Sequence, residues 1–145
     1  DVCSFDLSTV TFIAVLPPGH ALARKRDLAW RDLVGVPIIG PPPGNPVREQ
    51  LDFALAREGI ALTRSYEVAL PLTIVGMVEG GLGIGVLTTA VTKLAESLGL
   101  TVKKVGKPVI KREISLLFHA DRSLSPAAQN FLDLLVERPS GQPED

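Results

Sequence analysis

The chain has 145 residues, 46% hydrophobic and 5% aromatic. That is enough for one domain or two small lobes with a core built from Val, Leu, Ile and Ala. With 15 basic and 16 acidic residues and a net charge of -1, it has no global electrostatic grip on nucleic acid. One cysteine, Cys3, excludes an internal disulfide and is compatible with the cytosol. No apolar run reaches the length of a membrane span.

Thr11 to Leu16 is apolar and β-branched and ends at Pro17-Pro18-Gly19, which predicts a buried strand. Asp27 to Leu33 predicts a short helical turn carrying Trp30 and Leu33. Val36 to Ile39 is a short strand. Asn45 suits an N-cap and Pro46 a first helical position, giving a helix to about Glu58 stopped by Gly59. Thr63 to Val68 is a strand and Pro71 to Glu79 a helix. Leu82 to Leu87 is a strand, Thr89 to Leu98 a helix and Thr101 to Val105 a strand with basic ends. Glu113 to Phe118 alternates as a strand. Ser125 caps a last helix with an apolar stripe of Phe131, Leu132 and Leu135, and Pro139 to Asp145 reads as a tail. Strands alternating with helices predict an α/β fold with a mostly parallel sheet.

Thr73 to Leu87 carries the strongest local signal. Gly80 and Gly81 stand where a helix C-cap takes a left-handed residue. Gly83 and Gly85 then recur with period 2 and leave one strand face bare, open to another backbone or to a ligand. The order is helix then strand, and Val86 occupies the place of a third glycine. A dinucleotide fingerprint runs the other way.

The loop Gly40-Pro41-Pro42-Pro43-Gly44-Asn45 joins a strand end to a helix start, where open α/β sheets bind ligands. The N–H groups of Val47 and Arg48 are expected to stand free at the positive end of the helix dipole. Arg48 opposes that dipole. Either an anionic ligand relieves the conflict or an i,i+4 pair with Asp52 does. Leu70, Pro71, Leu72 and Thr73 form a second helix start after a strand. The Thr73 hydroxyl has two possible partners, a ligand carboxylate and its own helix backbone.

On the helix from Pro46, the buried stripe is Val47, Leu51, Ala54 and Leu55, which puts Phe53 on the far side. Phe53 beside Ala56 is expected to meet another subunit or to lie under a local loop. No catalytic residue is assigned. His119, Asp121 and Ser123 crowd into one short loop, whereas triad members come from separate parts of a fold. There is no nucleophile elbow and no His or Cys cluster at metal spacing, so no cofactor or metal is expected.

Several segments together resemble one family. The turn Leu16-Pro17-Pro18-Gly19-His20-Ala21-Leu22-Ala23 is followed by Leu28 and Asp32-Leu33, then Pro37-Ile38-Ile39, Arg48 and Leu51. After Glu67 come Thr73-Ile74, Val78-Glu79-Gly80-Gly81 and Leu82 to Leu87. Arg112-Glu113-Ile114 and Leu124 to Ala128, then Phe131-Leu132, close the series. This order resembles the effector-binding domain of LysR-type transcriptional regulators, over about residues 10 to 137.

The resemblance implies a type 2 periplasmic-binding-protein-like fold, two α/β lobes joined by crossing strands with a small effector in the cleft. Residues 1 to 16 would be a remnant of the first lobe and a crossing strand. Residues 17 to 112 would be the second lobe, 113 to 137 the return strand and helix of the first, and 138 to 145 a tail. Most of the first lobe and the helix-turn-helix that reads DNA have no counterpart here, and Thr88 replaces a frequent proline. The implied function is that of a cytoplasmic sensor of a small organic anion in an oligomeric bacterial regulator. Its ligand residues would come from Gly40 to Asn45, Arg48, Leu70, Leu72, Thr73 and Gly83, and DNA would be reached only through the missing domain. The alternative is a solute-binding protein for transport, and an enzyme on this fold ranks last.

Overall fold

The computed structural model describes residues 2–119, 121 and 123–137. The chain divides into two compact units, Thr11–Lys111 and the pair of segments Asp1–Val10 and Arg112–Asp145. The larger unit carries most of the elements. Strand β1 (Val2–Leu16) enters it, followed by β2 (Leu28–Ala29), β3 (Ile38–Gly40), α1 (Pro46–Ala56) and β4 (Arg64–Glu67). Then come α2 (Pro71–Glu79), β5 (Ile84–Thr88), α3 (Thr92–Ser97) and β6 (Thr101–Gly106). The strand order is β2-β6-β1-β5-β3-β4.

The sheet is mixed, where a mostly parallel one was expected. β3 runs parallel to β4 and β5, and β2 parallel to β6. β1 runs antiparallel to both neighbours, with Val15 opposite Gly85 and Val102. Strands β5 and β6 therefore end beside the start of β1's buried half. There the Thr11 N–H donates to Thr89 Oγ1 at 3.3 Å.

Phe12 to Leu16 are all buried, because helices cover both faces of the sheet. Phe12, Ala14 and Leu16 join Trp30, Ile38 and, from α1, Leu51 and Leu55 on one face. Ile13 and Val15 join Ile39, Ala95 of α3 and Ile74, Val75 and Val78 of α2 on the other. Each fully buried α2 side chain contributes about 1.5–3 kcal/mol. Trp30 stands edge-on to Phe12 at 6.2 Å between ring centroids and donates its indole N–H to Pro108 O at 2.8 Å.

The helix ends follow from their punctuation. Asn45 Oδ1 accepts from the Val47 and Arg48 N–H groups, and Pro46 fills the first helical position, where its missing donor is harmless. At the end of α2, Gly80 remains helical and Gly81 alone is left-handed, at φ 76°. The Gly81 N–H bonds Val78 O and the Leu82 N–H bonds Met77 O, the paired closure of a left-handed helix stop. The Ile60 N–H bonds back to Leu55 O, and α1 ends at Ala56, short of Glu58. The predicted helix from Thr89 to Leu98 is a 3-10 turn followed by the short α3.

Asp27 to Leu33 is β2 followed by a 3-10 turn. Asp32 accepts from the Ala29 N–H at 2.9 Å and from Lys25 Nζ at 2.5 Å. The Lys25 bond first, then the Ala29 bond, hold the Asp32 carboxyl below its usual 3.8. A carboxyl lowered by folding stabilises above its unfolded value and loses that contribution as pH falls through the folded one. Asp32→Asn keeps an acceptor for the Ala29 N–H but loses the charge that faces Lys25 and the start of the turn. It should therefore melt slightly below the parent at neutral pH, by about 0.3–1 kcal/mol. The gap should close as pH falls below 3.8, which thermal melts at stepped pH would check.

In the smaller unit, β7 (Lys111–His119) pairs with β1, and Ser115 Oγ donates to Asp6 Oδ1 at 2.7 Å. Helix α4 (Pro126–Glu137) follows, with Ser125 Oγ accepting from the Ala128 N–H. Its expected apolar stripe is incomplete: Leu132 and Leu135 are half-buried and Phe131 is exposed. The predicted tail lies outside the described residues.

Candidate functional site

Within the larger unit, β3 and β4 are adjacent and parallel, so their C-terminal ends deliver α1 and α2 side by side. The Val68 N–H donates to Gly40 O at 2.9 Å and ties the two exits together. From β3 the chain passes through buried Gly40, half-buried Pro41 and Pro42, and exposed Pro43 and Gly44. Prolines remove donors and fix φ, which makes this a rigid rim.

One expectation at α1 needs correction. The Val47 and Arg48 N–H groups are not free, because Asn45 Oδ1 takes both, at 2.9 and 3.4 Å. Of the two partners expected for Arg48, the Asp52 pair is present. Its Nε contacts Asp52 Oδ2 at 3.2 Å, and its Nη1 contacts Glu67 Oε1 at 2.5 Å and Pro41 O at 3.1 Å. Asp52 also receives Arg64 Nη2 at 2.6 Å, from a side chain only 3% exposed. Two arginines and two carboxylates thus alternate between α1 and β4. The Glu67 hydrogen bond is the first cause of the raised Arg48 pKa. The conflict with the helix dipole is relieved inside the protein, by the Asp52 pair that the sequence offered and by Glu67, which it did not. Arg48→Ala should cost about 1–2 kcal/mol in urea denaturation, with the loss shrinking in high salt.

The start of α2 is open by contrast. Leu70, its N-cap, supplies no side-chain bond. Leu70 O accepts from the Thr73 and Ile74 N–H groups, and the Leu72 N–H has no acceptor among the described residues. The Thr73 hydroxyl bonds neither its own helix nor any other described group. Leu70 and Leu72 flank it, 66% and 67% exposed.

Gly83 stands apart from this face. A Cβ there would meet Pro37 O at 2.6 Å, and one at Gly85 would meet Ile74 and Val78 at 3.1 and 3.2 Å. The close approaches that the bare strand face permits are made by the chain itself and by α2. Phe53 is 70% exposed and Ala56 is exposed beside it. His20 serves as a turn cap, its Nδ1 accepting from the Leu22 N–H.

A family model described as LysR substrate binding domain matches residues 1–140. The HTH-type transcriptional regulator YfeR of Shigella flexneri is 34% identical over 118 residues, 81% of this chain and 38% of that protein. YbhD of Escherichia coli K12, likewise described as an HTH-type regulator, is 33% identical over 125 residues, 86% of this chain and 39% of that protein. The chain thus spans about two fifths of the length of these curated relatives. The regulatory domain of Synechocystis PCC6803 CcmR, solved in complex with 2-PG, superposes with a TM-score of 0.84 at 22% identity, covering 99% of this chain and 70% of that one. The effector-binding domain of QuiR with shikimate gives 0.80 at 20% identity, covering 96% and 66%. The fold is accordingly type 2 periplasmic-binding-protein-like, and the curated relatives named above are described as transcriptional regulators and not as transport proteins. No helix among the described residues is long and apolar enough to cross a membrane. By its family match and its relatives, the chain belongs to the LysR substrate-binding domain family.

Proposed function

We propose that this chain is the effector-sensing part of a LysR-type regulator and that the open start of α2 is where its larger unit meets the ligand. The observation that carries the reading is the conjunction at that point of the free Thr73 hydroxyl, the free Leu72 N–H and exposed Leu70 and Leu72. Pro41 to Asn45 form the neighbouring rim. Ligand pockets combine apolar walls with a few placed polar groups, and a helix N-terminus favours an acceptor or an anion. With Arg48 already paired, recognition of a small organic acid falls to Thr73 and the helix end. The ligands named for the solved relatives, 2-PG and shikimate, are small organic molecules, which supports the class. A panel of small organic acids including these two, screened by thermal shift, tests the reading. At least one should raise the melting temperature of the parent, with the rise lost in Thr73→Val and in Leu72→Glu. Equal rises in parent and variants would remove α2 from the site.

The ligand would act by favouring one arrangement of the regulator over another, and it can shift that balance only by as much as its affinities for the two differ. DNA would be contacted through a helix-turn-helix outside this chain. Phe53 and Ala56 would meet a second copy, because an exposed Phe on an otherwise polar helix face suits a protein contact. Phe53→Glu should move the sedimentation profile toward smaller species, and an unchanged profile would take this face out of the interface.

A further inference from the structure

The larger unit holds a cavity of about 690 Å³ on the opposite flank of its sheet, along β2 and β6. It lies away from the β3 and β4 exits, and no candidate residue named from the sequence lines it. Its volume falls within the range of small-molecule pockets, about 300–1,000 Å³. Arg26, Lys103, Lys104 and Lys107 line it, with Asp27 as the one carboxylate and Leu28 and Val109 among the apolar contributors. The chain as a whole has a net charge of -1, so this concentration of cations is local.

Arg26, Lys104 and Lys107 are exposed, and Lys103 alone is half-buried. The side chains of Arg26, Lys103 and Lys104 make no hydrogen bond or ion pair among the described residues. Lys107 has only an electrostatic influence on Asp32, whose carboxylate is already bonded to Lys25. Lys103 is half-buried, so its charge is less screened than that of a freely solvated side chain. Lys107 is the one non-glycine with positive φ among the described residues, at 61°. Lys103 lies opposite Ala14 and Lys104 opposite Ile13, so their side chains leave opposite faces of the sheet. Lys103 alone of the two shares a face with Leu28 and Val105. Like charges along one concave wall repel and concentrate their field. An anion placed among them removes the repulsion and gains charge-assisted hydrogen bonds.

We infer that this cavity is a second ligand site, for an organic anion of two or more charges carried on an apolar body. The charge would sit by Lys103 and Arg26, and the body against Leu28 and Val109. The site is separate from the one proposed at α2 and does not depend on it.

Trp30 is the only tryptophan of the chain. Its bond to Pro108 O, between Lys107 and Val109, makes its fluorescence a reporter of the cavity wall. Phenyl phosphate is the probe, with phenol and inorganic phosphate as the neutral and bodiless controls. Calorimetry and Trp30 emission of the whole chain should show saturable binding of phenyl phosphate, weaker for both controls and weakened by salt. Arg26→Glu with Lys103→Glu should lower the affinity at least about tenfold, with circular dichroism confirming that the double variant is folded. Leu72→Glu should leave phenyl phosphate binding unchanged. Absence of saturable binding, binding as strong for phenol, binding indifferent to the double substitution, or binding abolished by Leu72→Glu would each overturn the inference. The last would assign the probe to α2 instead.

Discussion

Trp30→Ala is expected to destabilise the larger unit by about 3–5 kcal/mol. The side chain is fully buried, stands edge-on to Phe12 and touches the same cluster that seats Leu51 and Leu55 of α1. Truncation removes that packing and leaves a void among residues on several strands, which cannot all collapse into it. It also leaves Pro108 O without the indole donor. Trp30→Phe separates the two effects. It keeps most of the ring volume and loses the hydrogen bond, so it should cost only about 1–2 kcal/mol. Urea denaturation of both variants measures the difference. A loss under about 1 kcal/mol for the alanine variant would mean that this face of the sheet is not packed as described.

The second large effect is at Gly83. Gly83→Ala is expected to cost about 2–4 kcal/mol. Its φ is 156°, and an added Cβ would lie 2.6 Å from Pro37 O. That oxygen is backbone and already accepts the Ile84 N–H at 3.0 Å. Any movement that relieves the clash therefore pulls on the entry to β3 and the start of β5 together. Gly76→Ala, seven positions earlier in the same apolar stretch, should have the opposite sign. Nothing lies within 4 Å of a Cβ there, the residue is exposed inside α2, and alanine is the better helix former by up to about 1 kcal/mol. Paired denaturation curves check both. If Gly83→Ala is no worse than Gly76→Ala, the close approach of Pro37 to β5 is wrong.

The contrast between these glycines shows where the sequence is informative. Pro71 and the Gly80-Gly81 pair bound α2 at both ends, because helix starts and stops are set by local backbone chemistry. The antiparallel direction of β1 is not local. It depends on which strands pair with it far along the chain, and an apolar run of this length reads the same in either direction. The site behaves similarly. Asn45 was legible as an N-cap, and a cap that satisfies the Val47 and Arg48 N–H groups also closes that helix end to a ligand. The Arg48 to Asp52 pair was legible from i,i+4 spacing, whereas Glu67 lies 19 residues away on β4 and no local pattern links the two. Lys103 on β6 is legible only as part of a strand with basic ends. Its union with Arg26 and Lys107 needs the pairing of β2 with β6.

The claim that ligand contact in the larger unit centres on the start of α2 is tested most directly by amide chemical-shift mapping. The labelled chain would be titrated with whichever small organic acid stabilises it most. The largest shifts should fall at Leu70, Leu72 and Thr73, with smaller ones at Gly44 and Asn45 across the rim. Shifts that leave Leu70 to Thr73 unmoved while the compound still stabilises the chain would contradict it.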